Sequence, residues 1–582
     1  MWLTFTALKR WFLSLGLVFL VLGSQALLAD NLVLELSPEN PALRSNIEAY
    51  LGEVADRSPR EMRRYARFAQ GEIKKALEAL GYYNYLLDLQ VEETEPARLR
   101  VVVQTGRPVM LGQVNLGLTG EALQQPAFSL PPTTQLRQGL PLNHSHYEAA
   151  KRHFRNLALT YGYFASRFTL QELLIDPQAE VADINLYFDS GPRYRLGEVS
   201  FDHEEALDEK FLQRFVRFVP GMPYSTDRLA ELSRELRESG YFQEVLVDAD
   251  PDAANEDLQI PVEALVRARE PRTLNLGLGF STDTGPRATA GWVQHWVNSR
   301  GLRRGVDAQV SQPEQSLSGW YEFPLTPPMT DKLRLSSNLE YERFDNQESR
   351  RYGAQIQWFS QHSNGWERVF SLRGEREEYQ VGEDEGATWL TLPGISYGLL
   401  QSDRRVDPNR GYRLQVDVEG SRENIFADVD ILQISLLARG LTTLWDQHRF
   451  LVRWRAAGTA TNEFNRVPLS LRFFAGGDQS VRGYGYQELA PEGSDGRLVG
   501  GRYLMTTSLE YQYALAQRWR LAVFADAGDA VLEPYELEKP KVGLGVGLRW
   551  VSPVGPLRLD IAQGLDENLG GWRIHFTLGP EI

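Results

Sequence analysis

From about Glu270 to the C-terminus the chain shows almost no helical periodicity and alternates instead. Leu274, Leu276, Leu278 and Phe280 are interleaved with Asn275, Gly277, Gly279 and Ser281. Near the end, Leu544, Val546, Leu548 and Trp550 alternate with Gly543, Gly545, Gly547 and Arg549. The final run sets Trp572, Ile574, Phe576 and Leu578 against Arg573, His575, Thr577 and Gly579. A period of two places each set on its own face of a strand. Charge on the second face is costly against lipid and tolerable in a wet lumen. The pattern therefore predicts a transmembrane antiparallel β-barrel in contact with a lipid bilayer. Residues 269–582 number 314, and at roughly 20 per strand and connection they provide about 16 strands, an even number.

Beyond the first 29 residues no apolar run is long enough for a membrane-spanning helix, and mean hydropathy is −0.36. Alternating barrel strands escape such averaging; 50 glycines and an aromatic fraction of 11% suit them. Residues 1–29 have the layout of a secretory signal peptide: Lys9 and Arg10, an apolar stretch at 11–22, then small residues, with cleavage expected between Ala26 and Asp30. That apolar stretch is shorter than the ~20 residues that span a bilayer, which disfavours the alternative of a retained anchor. No cysteine is present, so an exported chain of this kind relies on packing and hydrogen bonds, without thiol chemistry. A net charge of −15 argues against nucleic acid as a partner.

The first half contains a threefold repeat. Gly81-Tyr82-Tyr83, Gly162-Tyr163-Phe164 and Gly240-Tyr241-Phe242 are spaced by 81 and 78 residues, each after an amphipathic stretch. In the second copy Tyr147, Ala150, Phe154, Leu157, Ala158 and Tyr161 recur at helical intervals, and Ser145 with Glu148 forms the spacing of a capping box. Each helix is expected to end at its glycine in a left-handed cap. Strand-like runs follow at 98–103, 183–188 and 258–266. The boundaries read as 30–107, 108–192 and 193–268 for three α+β modules, with the barrel at 269–582.

One loop stands out within the barrel region. The run Phe473-Phe474-Ala475-Gly476-Gly477-Asp478-Gln479-Ser480-Val481-Arg482-Gly483-Tyr484 presents a single arginine among glycines and aromatics. Downstream, Glu510 and Asp526 each lie on the polar side of an alternating strand, where they can receive it. The alternative is an exposed loop arginine.

These features together resemble the Omp85 superfamily over nearly the whole mature chain, with the repeats similar to its periplasmic POTRA domains. The resemblance implies two helices on a three-stranded sheet whose edge accepts a client strand. It implies that Val481, Arg482, Gly483 and Tyr484 are the signature of the sixth extracellular loop, with Arg482 paired inside the barrel to Asp526 and Glu510. Residues 552–560 are similar to the turn before the penultimate strand. The C-terminal run is similar to the family's assembly signal, and departs from it by ending Gly579-Pro580-Glu581-Ile582. Three repeats, as opposed to five, or to two with a plug helix, resemble the TamA branch, which serves translocation and assembly modules. That branch implies an outer-membrane location, unfolded outer-membrane clients, and a TamB-like partner anchored in the inner membrane. Glycines at Gly277, Gly279, Gly570, Gly571 and Gly579 collect where the first and last strands meet, and glycine weakens strands. Together with Arg573 and His575 they mark a candidate lateral seam.

Enzyme chemistry finds little support. Gly394-Ile395-Ser396-Tyr397-Gly398 matches GxSxG in letters, yet no helical pattern follows, as a nucleophile elbow requires. His144 and His146 lack further clustered ligands for a metal. No phosphate-binding loop is present, and no cofactor is expected. The reading is a non-enzymatic assembly or secretion factor. The alternatives are a passive porin, another Omp85-type transporter of the two-partner secretion kind, and a hydrolase barrel.

Overall fold

The computed structural model describes residues 31–132, 134–203, 206–345, 347–404, 407–552 and 555–578. The expected signal peptide and Gly579 lie outside the described residues.

Three small α+β modules come first. The first runs β1 (Leu32–Ser37), α1 (Pro41–Leu51), α2 (Pro59–Ala79), β2 (Tyr85–Glu92) and β3 (Arg98–Thr105), with sheet order β1-β3-β2. Asn40 caps α1 by accepting from the N–H groups of Ala42 and Leu43, and Ser58 with Glu61 forms a capping box on α2. Leu43, Ile47, Met62, Ile73 and Leu77 pack onto the alternate residues Leu99, Val101 and Val103 of the central strand. The second module runs β4 (Met110–Thr119), α3 (His144–Tyr161), β5 (Arg167–Asp176) and β6 (Val181–Asp189), ordered β4-β6-β5. In place of the first helix that the resemblance implies, its described residues show a short 3-10 turn, Glu121–Gln124. The third runs β7 (Arg195–His203), α4 (Glu209–Leu212), α5 (Thr226–Glu238), β8 (Phe242–Asp248) and β9 (Gln259–Ala268), ordered β7-β9-β8.

The expected capping box at Ser145 is not what starts α3. Asn143 is the cap, its side chain accepting from the Ser145 N–H at 2.9 Å, while Glu148 pairs with Lys151. An Asn two residues upstream offers its carbonyl to the same free N–H groups, and a helix has one N-cap. At the other end Gly162 adopts φ 79°, ψ 38°, and its N–H closes on the Ala158 carbonyl.

Sixteen strands, β10 (Arg272–Ser281) to β25 (Trp572–Leu578), form one antiparallel sheet in which every strand pairs with its neighbours in sequence. Alternation sorts the faces as read from the sequence. Leu274, Leu276 and Leu278 are exposed on the outside, Leu278 at 87%, whereas Glu510, Asp526 and His575 are buried inside. The sheet curls back on itself where β25 meets the end of β10. There the Thr282 N–H donates to the Phe576 carbonyl at 3.3 Å, and the Phe576 N–H donates to the Thr282 hydroxyl at 3.1 Å. The architecture is thus three α+β modules followed by a nearly closed 16-stranded antiparallel barrel.

Candidate functional site: a docked loop beside the strand seam

Residues 462–502 join β20 (His448–Thr461) to β21 (Tyr503–Ala516). The segment does not project away; it packs on the inner wall. Phe473, Ala475, Val481, Tyr484 and Leu489 bury themselves with Leu504 and Ala530 of the wall. Its base is stitched at Arg472, which donates to Asp384 Oδ2 at 2.8 Å on β17 (Asp384–Ser402). Nearby, Ser470 N–H donates to Glu377 Oε1 at 3.1 Å on β16 (Glu367–Val381).

Arg482 is 1% exposed and lies against the ring of Phe524, 3.3 Å from its centroid. On β22 (Trp519–Val531), Asp526 receives three hydrogen bonds from it: Nε at 2.7 Å, Nη2 at 2.9 Å and the backbone N–H at 3.1 Å. The two from the guanidinium form a bidentate fork. Nη1 donates to Glu510 Oε2 at 2.8 Å and to Asp560 Oδ2 at 3.2 Å, and Nη2 to Ser508 Oγ at 3.3 Å. A second cation faces two of the three acids. Arg549, on β23 (Lys541–Ser552), donates to Glu510 Oε1 at 2.9 Å and to Asp560 Oδ1 at 2.5 Å. A buried charge without partners is expensive, and here each guanidinium and carboxylate meets at least one opposite charge.

The other signature residues explain themselves by packing. Val481 and Tyr484 are fully buried, and the Tyr484 hydroxyl donates to the Val542 carbonyl at 3.0 Å. Gly483 has φ +95°, and a Cβ there would stand 2.4 Å from the Gly564 backbone nitrogen, so only glycine fits against β24 (Gly555–Gly564). Its N–H donates to His575 Nε2 at 3.1 Å.

Sequence reasoning named Arg482, Glu510 and Asp526, and the structure brings them together. It missed Asp560, Arg549, Ser508 and the base anchor Arg472. Period-two counting does place Arg549 and Asp560 on the lumen side, but so it places many other residues.

The seam residues are distributed differently. Gly277 and Gly279 pair with Thr289 and Arg287 on β11 (Gly285–Gln294). Arg573 donates to Glu488 at 2.9 Å and His575 accepts from Gly483, so both belong to the loop's dock. Contact between the first and last strands falls at Thr282 and Phe576, with the rings of Phe280 and Phe576 6.2 Å apart. Ser396 lies mid-strand in β17, opposite Val369 and Asp417, with no strand-to-helix turn. His144 Nε2 is 2.8 Å from the Tyr83 hydroxyl, joining the first two modules.

Comparison with known proteins places this geometry. Residues 276–582 match a family model for the Omp85 superfamily domain. Residues 33–105 match one for POTRA domain TamA domain 1, and residues 194–267 a POTRA model described as a surface antigen variable number repeat. The outer membrane protein assembly factor BamA of Neisseria meningitidis serogroup B is 23% identical over 563 residues, covering 83% of this chain and 68% of that protein. BamA of Nitratidesulfovibrio vulgaris is 21% identical over 425 residues, covering 69% of this chain and about half, 53%, of the relative. In fold, the crystal structure of Haemophilus ducreyi BamA lacking POTRA domains 1–3 superposes with a TM-score of 0.66 at 16% identity, covering 81% of this chain and 99% of that one. The chain belongs to the Omp85 superfamily, a family of outer-membrane assembly and transport proteins, with its barrel in the outer membrane and its POTRA-type modules in the periplasm.

Proposed function

We propose that this chain is the barrel subunit of a translocation and assembly module, a TamA-type protein. In this reading it assists insertion or secretion of outer-membrane and autotransporter proteins, together with a TamB-like partner anchored in the inner membrane. The observation that carries the reading is a set of three modules, at 30–107, 108–192 and 193–268, ahead of the barrel at 269–582. The match of the first module to a TamA-domain model supports it. The assembly role printed in the names of its BamA relatives points the same way.

The working edge in this proposal is the seam. Among the described residues, Arg272–Ser281 of β10 pairs in register with β11 alone. Unpaired backbone groups facing lipid are costly, and an incoming client strand would satisfy them. Arg482 and its acids would hold the loop in place while that edge is used.

Affinity purification of the tagged chain from envelopes tests the reading. A large inner-membrane-anchored protein should copurify, and deletion should impair assembly of outer-membrane clients. Ion conductance with no assembly defect would favour a passive porin instead.

A further inference from the structure

Beside the docked loop lies a cavity of about 440 Å³, open to the lumen and unused by the loop's own ion pairs. Its size falls within the roughly 300–1,000 Å³ of ordinary ligand sites. One wall carries Arg439 of β19 (Ile431–Leu444) with Arg453 and Arg455 of β20, and Arg287 of β11 joins them. Thr506 and Ser480 add hydroxyls.

These arginines are not neutralised the way Arg482 is. Among the described residues, the side chains of Arg287, Arg439 and Arg455 make no hydrogen bond or ion pair, and that of Arg453 only reaches the Ser508 hydroxyl at 3.0 Å. Arg558 of β24 is 7% exposed with its Nε unpartnered, and it is close enough to act electrostatically on Arg439 and Arg453. Acids are in reach too: Asp283 and Asp478 line the same cavity, Asp526 and Glu510 act on Arg453 from the loop's dock, and Glu314 acts on Arg287. Asp478 takes the Ser281 hydroxyl at 2.9 Å, and Asp283 takes the Asp478 N–H at 2.6 Å. Asp417, which acts on Arg455 from a distance, has both oxygens on Gln415 Nε2 at 3.0 Å. The surrounding chain is acidic, with a net charge of −15, so four guanidinium groups against two carboxylates in the cavity lining are a local choice of sequence. Like charges crowded in a partly desolvated site repel one another unless an anion sits among them.

We propose that this cavity binds a phosphate-class oxyanion, held by Arg287, Arg439, Arg453 and Arg455. Guanidinium forks match the oxygens of a phosphate two at a time, and several forks converge here. The oxyanion is either free phosphate or the headgroup of a phospholipid. Phe280 of β10 and Leu578 of β25 line the same cavity, so a headgroup would reach it past the strand ends.

Two binding arms separate the sources, both on the full chain in uncharged detergent. Equilibrium dialysis with labelled inorganic phosphate reads the first. Native mass spectrometry with short-chain phosphatidic acid reads the second. Saturable binding in either arm is expected, resisting chloride and acetate at matched ionic strength. It should weaken about tenfold or more in Arg439→Gln and in Arg455→Gln, the size expected for one lost charged hydrogen bond. It should be unchanged in Arg63→Gln, on the exposed face of the first module. Heat-modifiable gel migration checks that each variant folds. Binding in the first arm alone assigns a free anion, and in the second alone a headgroup. Absence in both arms, equal displacement by acetate, or binding indifferent to both lumen substitutions overturns the proposal.

Discussion

The backbone N–H of Gly483 donates to Nε2 of His575 at 3.1 Å, tying the loop's signature to the last strand. A nitrogen that accepts leaves the ring proton on Nδ1, and Nδ1 faces Asp283 Oδ1 at 3.6 Å. Asp283 sits in the turn between β10 and β11 and also takes the Asp478 N–H. One imidazole therefore ties the loop to the last strand and lies beside the first hairpin. Loop docking and seam closure share atoms.

It follows that His575→Ala should loosen the loop without unfolding the barrel. The buried Gly483 N–H loses its acceptor, a cost of about 1–3 kcal/mol. A cysteine at Ser480 should then react about tenfold faster or more with a water-soluble maleimide, while gel migration stays that of a folded barrel. Unchanged labelling would mean the contact contributes nothing to docking.

The Arg482 cluster predicts an asymmetric pair of effects. Arg482→Ala leaves Asp526 without its ion-pair partner and Glu510 and Asp560 to Arg549 alone, whereas Asp526→Ala leaves Arg482 with Glu510 and Asp560. Removing the cation should lower the unfolding temperature more than removing the acid, with a loss of about 3–5 kcal/mol for the former. Their double-mutant coupling should fall at about 0.5–3 kcal/mol. Arg482→Lys, which keeps charge and loses the fork, should land between wild type and Arg482→Ala. Simple additivity would show that the two residues act independently.

A pH effect is expected in the periplasmic modules. Burial holds the His144 imidazole below its ordinary value, opposed by the charges of Glu78 and Glu148, while its Nε2 meets the Tyr83 hydroxyl. With a depressed value in the folded state, the unfolded chain takes up the proton first. The stabilisation is present above the unfolded value, roughly 6.5, and is lost as pH falls below it. Limited proteolysis between the first two modules should thus be faster at pH 5.5 than at pH 7.5. His144→Gln, which keeps a polar partner for Tyr83 without titrating, should flatten that difference; a wild type indifferent to pH would refute the assignment.

Local pattern carried the sequence reading as far as faces and elements. Alternation separated Leu274 from Asn275 and Leu509 from Glu510, because lipid and lumen impose opposite demands on neighbouring residues. It could not choose partners across the lumen. Asp560 lies 78 residues from Arg482 and carries no mark that separates it from other inward-facing acids. At Ser145 the spacing of a capping box was present, yet Asn143 holds the helix start. Register was the largest gap: a period of two fixes which side a residue faces and leaves sliding along the strand open.

The bond from Thr282 to Phe576 sets the antiparallel register at the seam, which puts Ser281 opposite Thr577, both on the inner side. Facing Cα atoms in such a pair lie roughly 4.5–5.5 Å apart, within disulfide reach, and the chain has no native cysteine to interfere. Ser281→Cys with Thr577→Cys should crosslink nearly completely under mild oxidant. Gly277→Cys with Arg573→Cys should not, because the same register separates those positions by eight residues, roughly 26 Å along the strand. The crosslinked barrel should fold and keep its loop docked. If client strands add at the seam, the lock should abolish client assembly and reductant should restore it, since the crosslink holds β25 against the end of β10 and bars a client strand from entering between them. Full assembly by a fully crosslinked barrel would place the work in the periplasmic modules and remove the seam from the mechanism.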